Sequence, residues 1–77
     1  MTNFPDRLTH AEANVLILVE AGLSNKEIAQ SVSITVGTVK SHLHRAYEKL
    51  DARNRLDALV RARSRGHLPA SVQTLAL

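Results

Sequence analysis

Seventy-seven residues with no cysteine and a net charge of +3 bound this chain closely. A chain of this length forms one domain that buries only a little over about 60% of its unfolded surface, and the lack of cysteine excludes disulfides, thiol catalysis and cysteine-ligated zinc, in keeping with a reducing cytoplasm. No stretch approaches the roughly 20 apolar residues of a membrane span, and Met1–Asp6 lacks the basic start and apolar middle of a signal peptide.

Residues 1–7 hold one proline and no periodicity, and read as a flexible N-terminal arm. Thr9-x-x-Glu12 then has the form of a capping box, in which the threonine oxygen accepts an amide of the first turn while the glutamate reaches back to the threonine amide. A helix is expected over 10–21, burying Ala11, Val15, Leu16, Leu18 and Val19, with Gly22 ending it in the left-handed conformation and Leu23 turning inward. Ser24-x-x-Glu27 repeats the capping box and opens a helix over 25–32, with Ile28, Ala29 and Val32 on one side and Lys26, Glu27 and Gln30 on the other. Only Ser33 and Ile34 separate it from Thr35, the capping residue of the next helix.

That third helix, 36–50, carries Val36, Val39, Leu43, Ala46 and Leu50 at three- and four-residue steps, an apolar stripe that must be buried. The opposite arc holds Gly37, Thr38, Lys40, Ser41, His44, Arg45 and Glu48, all but the glutamate able to approach or donate to an anion or a base edge. Glycine within a helix costs about 1 kcal/mol against alanine, so Gly37 in an exposed first turn suggests that something bulky approaches the backbone there. A fourth helix over 54–65 is capped by Asn54, with Asp57 in its first turn and Gly66 at its end. Its core strip is Ala58, Leu59 and Ala62, while Leu56 and Val60 widen the apolar surface around one flank. Residues 67–77 are a tail, either frayed or a brief terminal helix, with Leu68, Val72 and Leu75 at helical steps.

The expected fold is all-α, a four-helix bundle in which helices 2 and 3 form a helix-turn-helix. A helix pair joined by so few residues, with the second exposing small, hydrogen-bonding and basic side chains, fits a recognition helix in the major groove. Charge agrees. Residues 1–32 carry two lysines or arginines against four acidic residues, whereas 33–77 carry eight against three. Arg53, Arg55, Arg61, Arg63 and Arg65 make either a solvated helix face or a set from which some side chains touch phosphate.

Ser24-Asn25-Lys26-Glu27-Ile28-Ala29, Ile34-Thr35-x-x-Thr38-Val39-Lys40-x-His42 and Lys49-Leu50 resemble the DNA-binding domain of the LuxR family of bacterial transcription regulators. Leu8-Thr9, Glu12, Val15-Leu16 and Gly22 before them, and Arg55 and Ala58 after them, extend the likeness across residues 8–66. The resemblance implies a four-helix domain whose third helix reads the major groove and whose fourth serves in dimer contacts. Three positions depart from the family's pattern. Ala11 and Asn14 stand where arginine and glutamate are usual, Asp51-Ala52 replaces glycine and valine after helix 3, and His44 stands where lysine or another long polar residue is frequent. Gly37-Thr38-Val39-Lys40-Ser41-x-Leu43-x-Arg45-Ala46 also resembles the last region of a bacterial sigma factor, but a capped fourth helix follows where that region would normally end. A protein-interaction module that kept the fold without DNA affinity is the alternative of a different class.

The side chains expected to reach base edges are Lys40, Ser41, His44 and Arg45, and those expected at phosphates are Ser24, Asn25, Lys26, Thr35, Thr38 and Lys49. Leu56 and Val60 are the expected dimer contact. The partners are double-stranded DNA, a second copy of the chain on that DNA, and RNA polymerase, in the bacterial cytoplasm, with no membrane involved. No catalytic residue, cofactor or metal is expected: His42 and His44 lie two apart and point to different sides of a helix, whereas a helical metal pair needs three or four. His42, at the edge of the stripe, reads as a packed histidine, and His10 and His67 as solvent-exposed. The chain is either a fragment of a longer regulator or a short stand-alone member.

Overall fold

A computed structural model describes residues 7–68; the expected arm at 1–6 and the tail from 69 onward lie outside the described residues. Four helices follow in order: α1 (His10–Glu20), α2 (Asn25–Val32), α3 (Val36–Leu50) and α4 (Arg55–Ser64). Every start is set by a capping side chain. Thr9 Oγ1 accepts the Glu12 amide at 3.1 Å while Glu12 Oε1 accepts the Thr9 amide at 2.9 Å, and Ser24 with Glu27 repeats the exchange at 3.1 and 2.8 Å. Thr35 Oγ1 accepts from the Thr38 amide. Asn54 Oδ1 accepts from the Asp57 amide at 2.8 Å, and Asp57 Oδ2 reaches back to the Arg53 amide at 3.0 Å. Each cap satisfies a donor that the helix itself leaves orphaned.

The ends are made by residues in the left-handed region. Gly22 (φ 95°) closes α1, with its amide on the Val19 carbonyl and the Leu23 amide on that of Leu18, the paired bonds of a Schellman motif. Asp51 adopts φ 56° after α3, filling the conformation for which glycine is usual, and Ser33 adopts φ 60° between α2 and α3. Ser33 carries the sharp turn of the helix pair, and the Ile34 amide returns to the Ala29 carbonyl at 3.0 Å.

α3 is the central element, packing against α1, α2 and α4, while α1 also packs on α2. Its stripe Val39, Leu43, Ala46 and Leu50 meets Val15, Leu16 and Val19 of α1, Ile28 and Ala29 of α2, and Ala58 and Ala62 of α4 in one core. The small side chains of Ala58 and Ala62, both fully buried, leave room for close approach of α4. Leu56 and Val60 remain outside, as expected, at 71% and 52% exposure.

Two expectations require correction. Ala11 is exposed, and the buried position next to it belongs to Glu12; the capping box turns that carboxylate toward the protein, and alanine, with little surface to hide, faces out. Leu68 is buried in the core, so the packed domain runs past Gly66 into what was read as tail. Gly66 (φ 82°) reverses the chain, and the His67 amide bonds the Ala62 carbonyl at 2.8 Å, which brings His67 to a half-buried position and Leu68 under the core.

Candidate nucleic-acid interface

Burying Val39, Leu43 and Ala46 on one side of α3 turns Gly37, Lys40, Ser41, His44, Arg45 and Glu48 outward, and all six are exposed. The four residues expected at base edges, Lys40, Ser41, His44 and Arg45, therefore share one open face. His44 Nε2 lies 3.3 Å from Glu48 Oε2 one turn on, with both side chains largely in solvent, where such a pair constrains the imidazole only weakly. A Cβ added at Gly37 would meet nothing closer than Thr35 Oγ1 at 3.8 Å. Packing within the protein thus places no demand for glycine at that exposed position.

Beside this face stand the starts of α2 and α3. Ser24 and Lys26 are exposed and Asn25 half-buried. The capping bonds use the acceptor capacity of the Ser24 and Thr35 hydroxyls and leave the Ser24 hydroxyl hydrogen free to donate. Thr35 and Thr38 share a hydroxyl–hydroxyl bond of 2.9 Å, so one hydroxyl hydrogen of the two remains available. Asn25, Lys40, Leu43, His44, Tyr47 and Arg55 line a shallow cleft of about 330 Å³, joining the start of α2, the middle of α3 and the start of α4. Sequence spacing did not bring Arg55 to this site. Its guanidinium donates from Nη2 to Asn25 Oδ1 at 3.2 Å across 30 residues of chain.

Lys49, expected at a phosphate, has an acidic partner within the protein. Its ammonium sits 2.7 Å from Glu12 Oε1, and Glu12 is almost completely buried. Burial alone would raise the Glu12 carboxyl, but hydrogen bonds from Lys49 and Thr9 and the charge of Lys49 outweigh it and hold the group below the usual glutamate range. The pair ties the last turn of α3 to the first turn of α1, so it fixes how the outward face of α3 is presented. Two further arginines are also neutralised, Arg61 by Asp57 at 3.0 Å and Arg63 by Glu20, and Arg65 donates to the Lys49 carbonyl. By contrast Lys26, Lys40, Arg45 and Arg55 form no ion pair among the described residues. Those four cations belong to the α3 face and the helix starts beside it; Arg53 and Arg65 likewise have no carboxylate partner among the described residues, and the paired cations, Lys49, Arg61 and Arg63, lie toward the C-terminal ends of α3 and α4.

The remaining histidines follow from placement: His42 is half-buried at the edge of the stripe and His10 is exposed. Among the described residues no group of three or more His, Cys, Asp or Glu could hold a metal ion, and no described helix is long and apolar enough to cross a membrane.

A short-turn helix pair, braced by α1 behind and α4 beside it and exposing a polar, partly cationic face on its second helix, defines a helix-turn-helix domain. Residues 6–62 match the family described as bacterial regulatory proteins, luxR family, and the chain belongs to that family. It is 44% identical over 59 residues to the transcriptional regulatory protein DesR of Bacillus subtilis (strain 168), covering 77% of this chain and 30% of that protein. It is 40% identical over 68 residues to the HTH-type transcriptional regulator AlkS of Alcanivorax borkumensis, covering 88% of this chain and 8% of that protein. With the response regulator protein VraR of Staphylococcus aureus it shares 39% identity over 57 residues, 74% of this chain and 27% of that one. The chain thus spans less than a third of the length of each of these relatives.

Proposed function

We propose that the chain binds double-stranded DNA in a sequence-specific manner as the effector domain of a bacterial transcription regulator, with α3 in the major groove. The observation that carries this reading is a clustering of cations. Lys26, Lys40, Arg45 and Arg55 lack a carboxylate partner among the described residues and gather around one exposed helix face, an arrangement that leaves their charge for a polyanion. Lys40, Ser41, His44 and Arg45 select bases; Ser24, Asn25, Lys26, Thr35 and Thr38 hold phosphates and so fix the register of the helix. The open space at Gly37 admits the sugar-phosphate backbone close to the first turn of α3. On DNA two copies pair through Leu56 and Val60, whose exposed area falls well short of the roughly 1,000 Å² of a stable interface, so pairing depends on adjacent half-sites about one DNA turn apart. RNA polymerase is a further partner, and the cytoplasm the place of action.

The test is fluorescence anisotropy of the chain on duplexes selected from a randomised library and on unselected duplexes, over a range of salt. Each phosphate neutralised adds about 0.9 to the slope of log affinity against log salt. Lys40→Ala loses affinity for the selected duplex, by about 1 to 3 kcal/mol for a lost base contact, and keeps most of its affinity for unselected DNA. Salt-independent affinity, or a Lys40→Ala variant that discriminates as well as the parent chain, overturns the proposal.

A further inference from the structure

We infer that Arg55 and Asn25 act together as a two-pronged clamp on one DNA phosphate, tying the start of α4 to the start of α2 at the edge of the α3 face; the inference rests on the DNA-binding reading above. A guanidinium has only donors, so the atom of Asn25 that meets Arg55 Nη2 at 3.2 Å is the carbonyl oxygen. That bond uses the acceptor of Asn25 and turns its amide group, with two N–H donors, away from the arginine. Arg55 spends one of its five N–H donors and keeps four. The juncture therefore offers outward donors from two side chains, which suits a ligand whose exposed atoms are all acceptors, as those of a phosphodiester are.

Nearby acidic groups do not quench it. Glu27 is held by the Ser24 amide, and Asp57 by the Arg53 amide and Arg61 Nε, while Arg55 itself forms no ion pair among the described residues. Lys40 and His44 line the same cleft as Arg55 and Asn25, so the clamp is continuous with the base-reading face. Arg55 belongs to a different helix and flanks that face, so it meets the strand bordering the groove. α4 thereby contributes directly to the orientation of α3 on DNA, apart from any contact it makes with a second copy.

The experiment is a double-mutant cycle with the 77-residue chain on selected and random-sequence duplexes, comparing Arg55→Ala, Asn25→Ala, the double variant and Arg55→Lys, with circular dichroism melting as the check on folding. Loss of one phosphate contact lowers the salt slope by about 0.9, equivalent to about a fivefold loss of affinity at physiological salt. Arg55→Ala gives that loss on selected and random duplexes alike. The double variant loses less than the product of the two single losses, because each prong needs the other. Arg55→Lys keeps the slope but not the coupling to Asn25, since an ammonium lacks the planar fork. Parental affinity and slope in Arg55→Ala overturn the clamp, and do so with the DNA-binding reading intact if Lys40→Ala still loses discrimination. A loss confined to the selected duplex makes Arg55 a base contact and overturns it too, as does strict additivity of the two alanine variants. A parent chain that binds no duplex removes both proposals.

Discussion

Replacing Lys49 by methionine separates scaffold from interface more sharply than any other single change. The methionine keeps most of the stem volume and removes the ammonium that lies 2.7 Å from Glu12 Oε1, leaving a carboxylate at 2% exposure with only Thr9 to hydrogen-bond it. Breaking a buried pair by removing one partner costs about 3 to 5 kcal/mol. Lys49 is itself 23% exposed, so water reaches the site, and about 3 kcal/mol is the appropriate figure. In a domain this small each kcal/mol moves the melting temperature by about 4 to 8 °C, so Lys49→Met should melt roughly 12 to 24 °C lower. The pH dependence follows from the direction of the Glu12 shift. In the parent chain the folded value is depressed, so the stabilisation is complete above the unfolded glutamate value and disappears as pH falls through the folded value. In Lys49→Met burial is no longer offset by the ammonium, the carboxyl titrates higher, and protonating it removes the stranded charge. The deficit should therefore be largest at neutral pH and shrink under acid, as followed by urea denaturation with circular dichroism. A deficit below about 1 kcal/mol at neutral pH, or one that does not change with pH, would refute the assignment. So would a lower salt slope for DNA in the folded variant, which would return Lys49 to the phosphate contacts.

Three further substitutions probe separate parts of the account. Gly37→Ala should raise stability by up to about 1 kcal/mol, because nothing in the protein obstructs the added methyl, yet weaken DNA binding in anisotropy; unchanged affinity would mean that no backbone approaches there. Ser33→Gly should stabilise by about 1 kcal/mol in urea denaturation, relieving the left-handed serine at φ 60°, and a destabilised variant would mean that serine suits this turn better than glycine does. Val60→Glu, at a half-exposed position, should leave melting within about 0.5 kcal/mol and single half-site binding intact while abolishing cooperative filling of paired half-sites; preserved cooperativity would put the dimer contact elsewhere.

What could be read from sequence was the part governed by local chemistry. Thr9, Ser24, Thr35 and Asn54 each cap the helix they were expected to cap, because a cap needs only its own next three residues. The stripe of α3 is buried from Val39 to Leu50 as its spacing requires, with Val36 only partly buried in the first turn. The partner of Lys49 was hidden because Glu12 lies 37 residues away; a lysine near a helix end and a lysine on an internal carboxylate look alike in one dimension. The same distance in sequence hid the link between Arg55 and Asn25 and the pairing of Arg63 with Glu20. Glu12 was recognised as half of a capping box, and the box turns its carboxylate inward to a partner, Lys49, that the box could not announce. Ser33 gave no warning of its positive φ, since serine is not a usual left-handed residue. Leu68 lay beyond a glycine that ends a helix, and the Gly66 reversal that carries it back to the core depends on conformation at a position where the sequence says only that the helix stops.

The claim that the outward face of α3 is what meets DNA is tested most directly by amide chemical-shift perturbation on titrating the chain with a selected duplex. The account predicts perturbations concentrated at residues 24–26, at 35–45 on the exposed side of α3, and at Arg55, with α1 and the C-terminal half of α4 little changed on a single half-site. Perturbations centred instead on α1, or on Arg61 to Arg65, with the Lys40 to Arg45 amides unmoved, would contradict it.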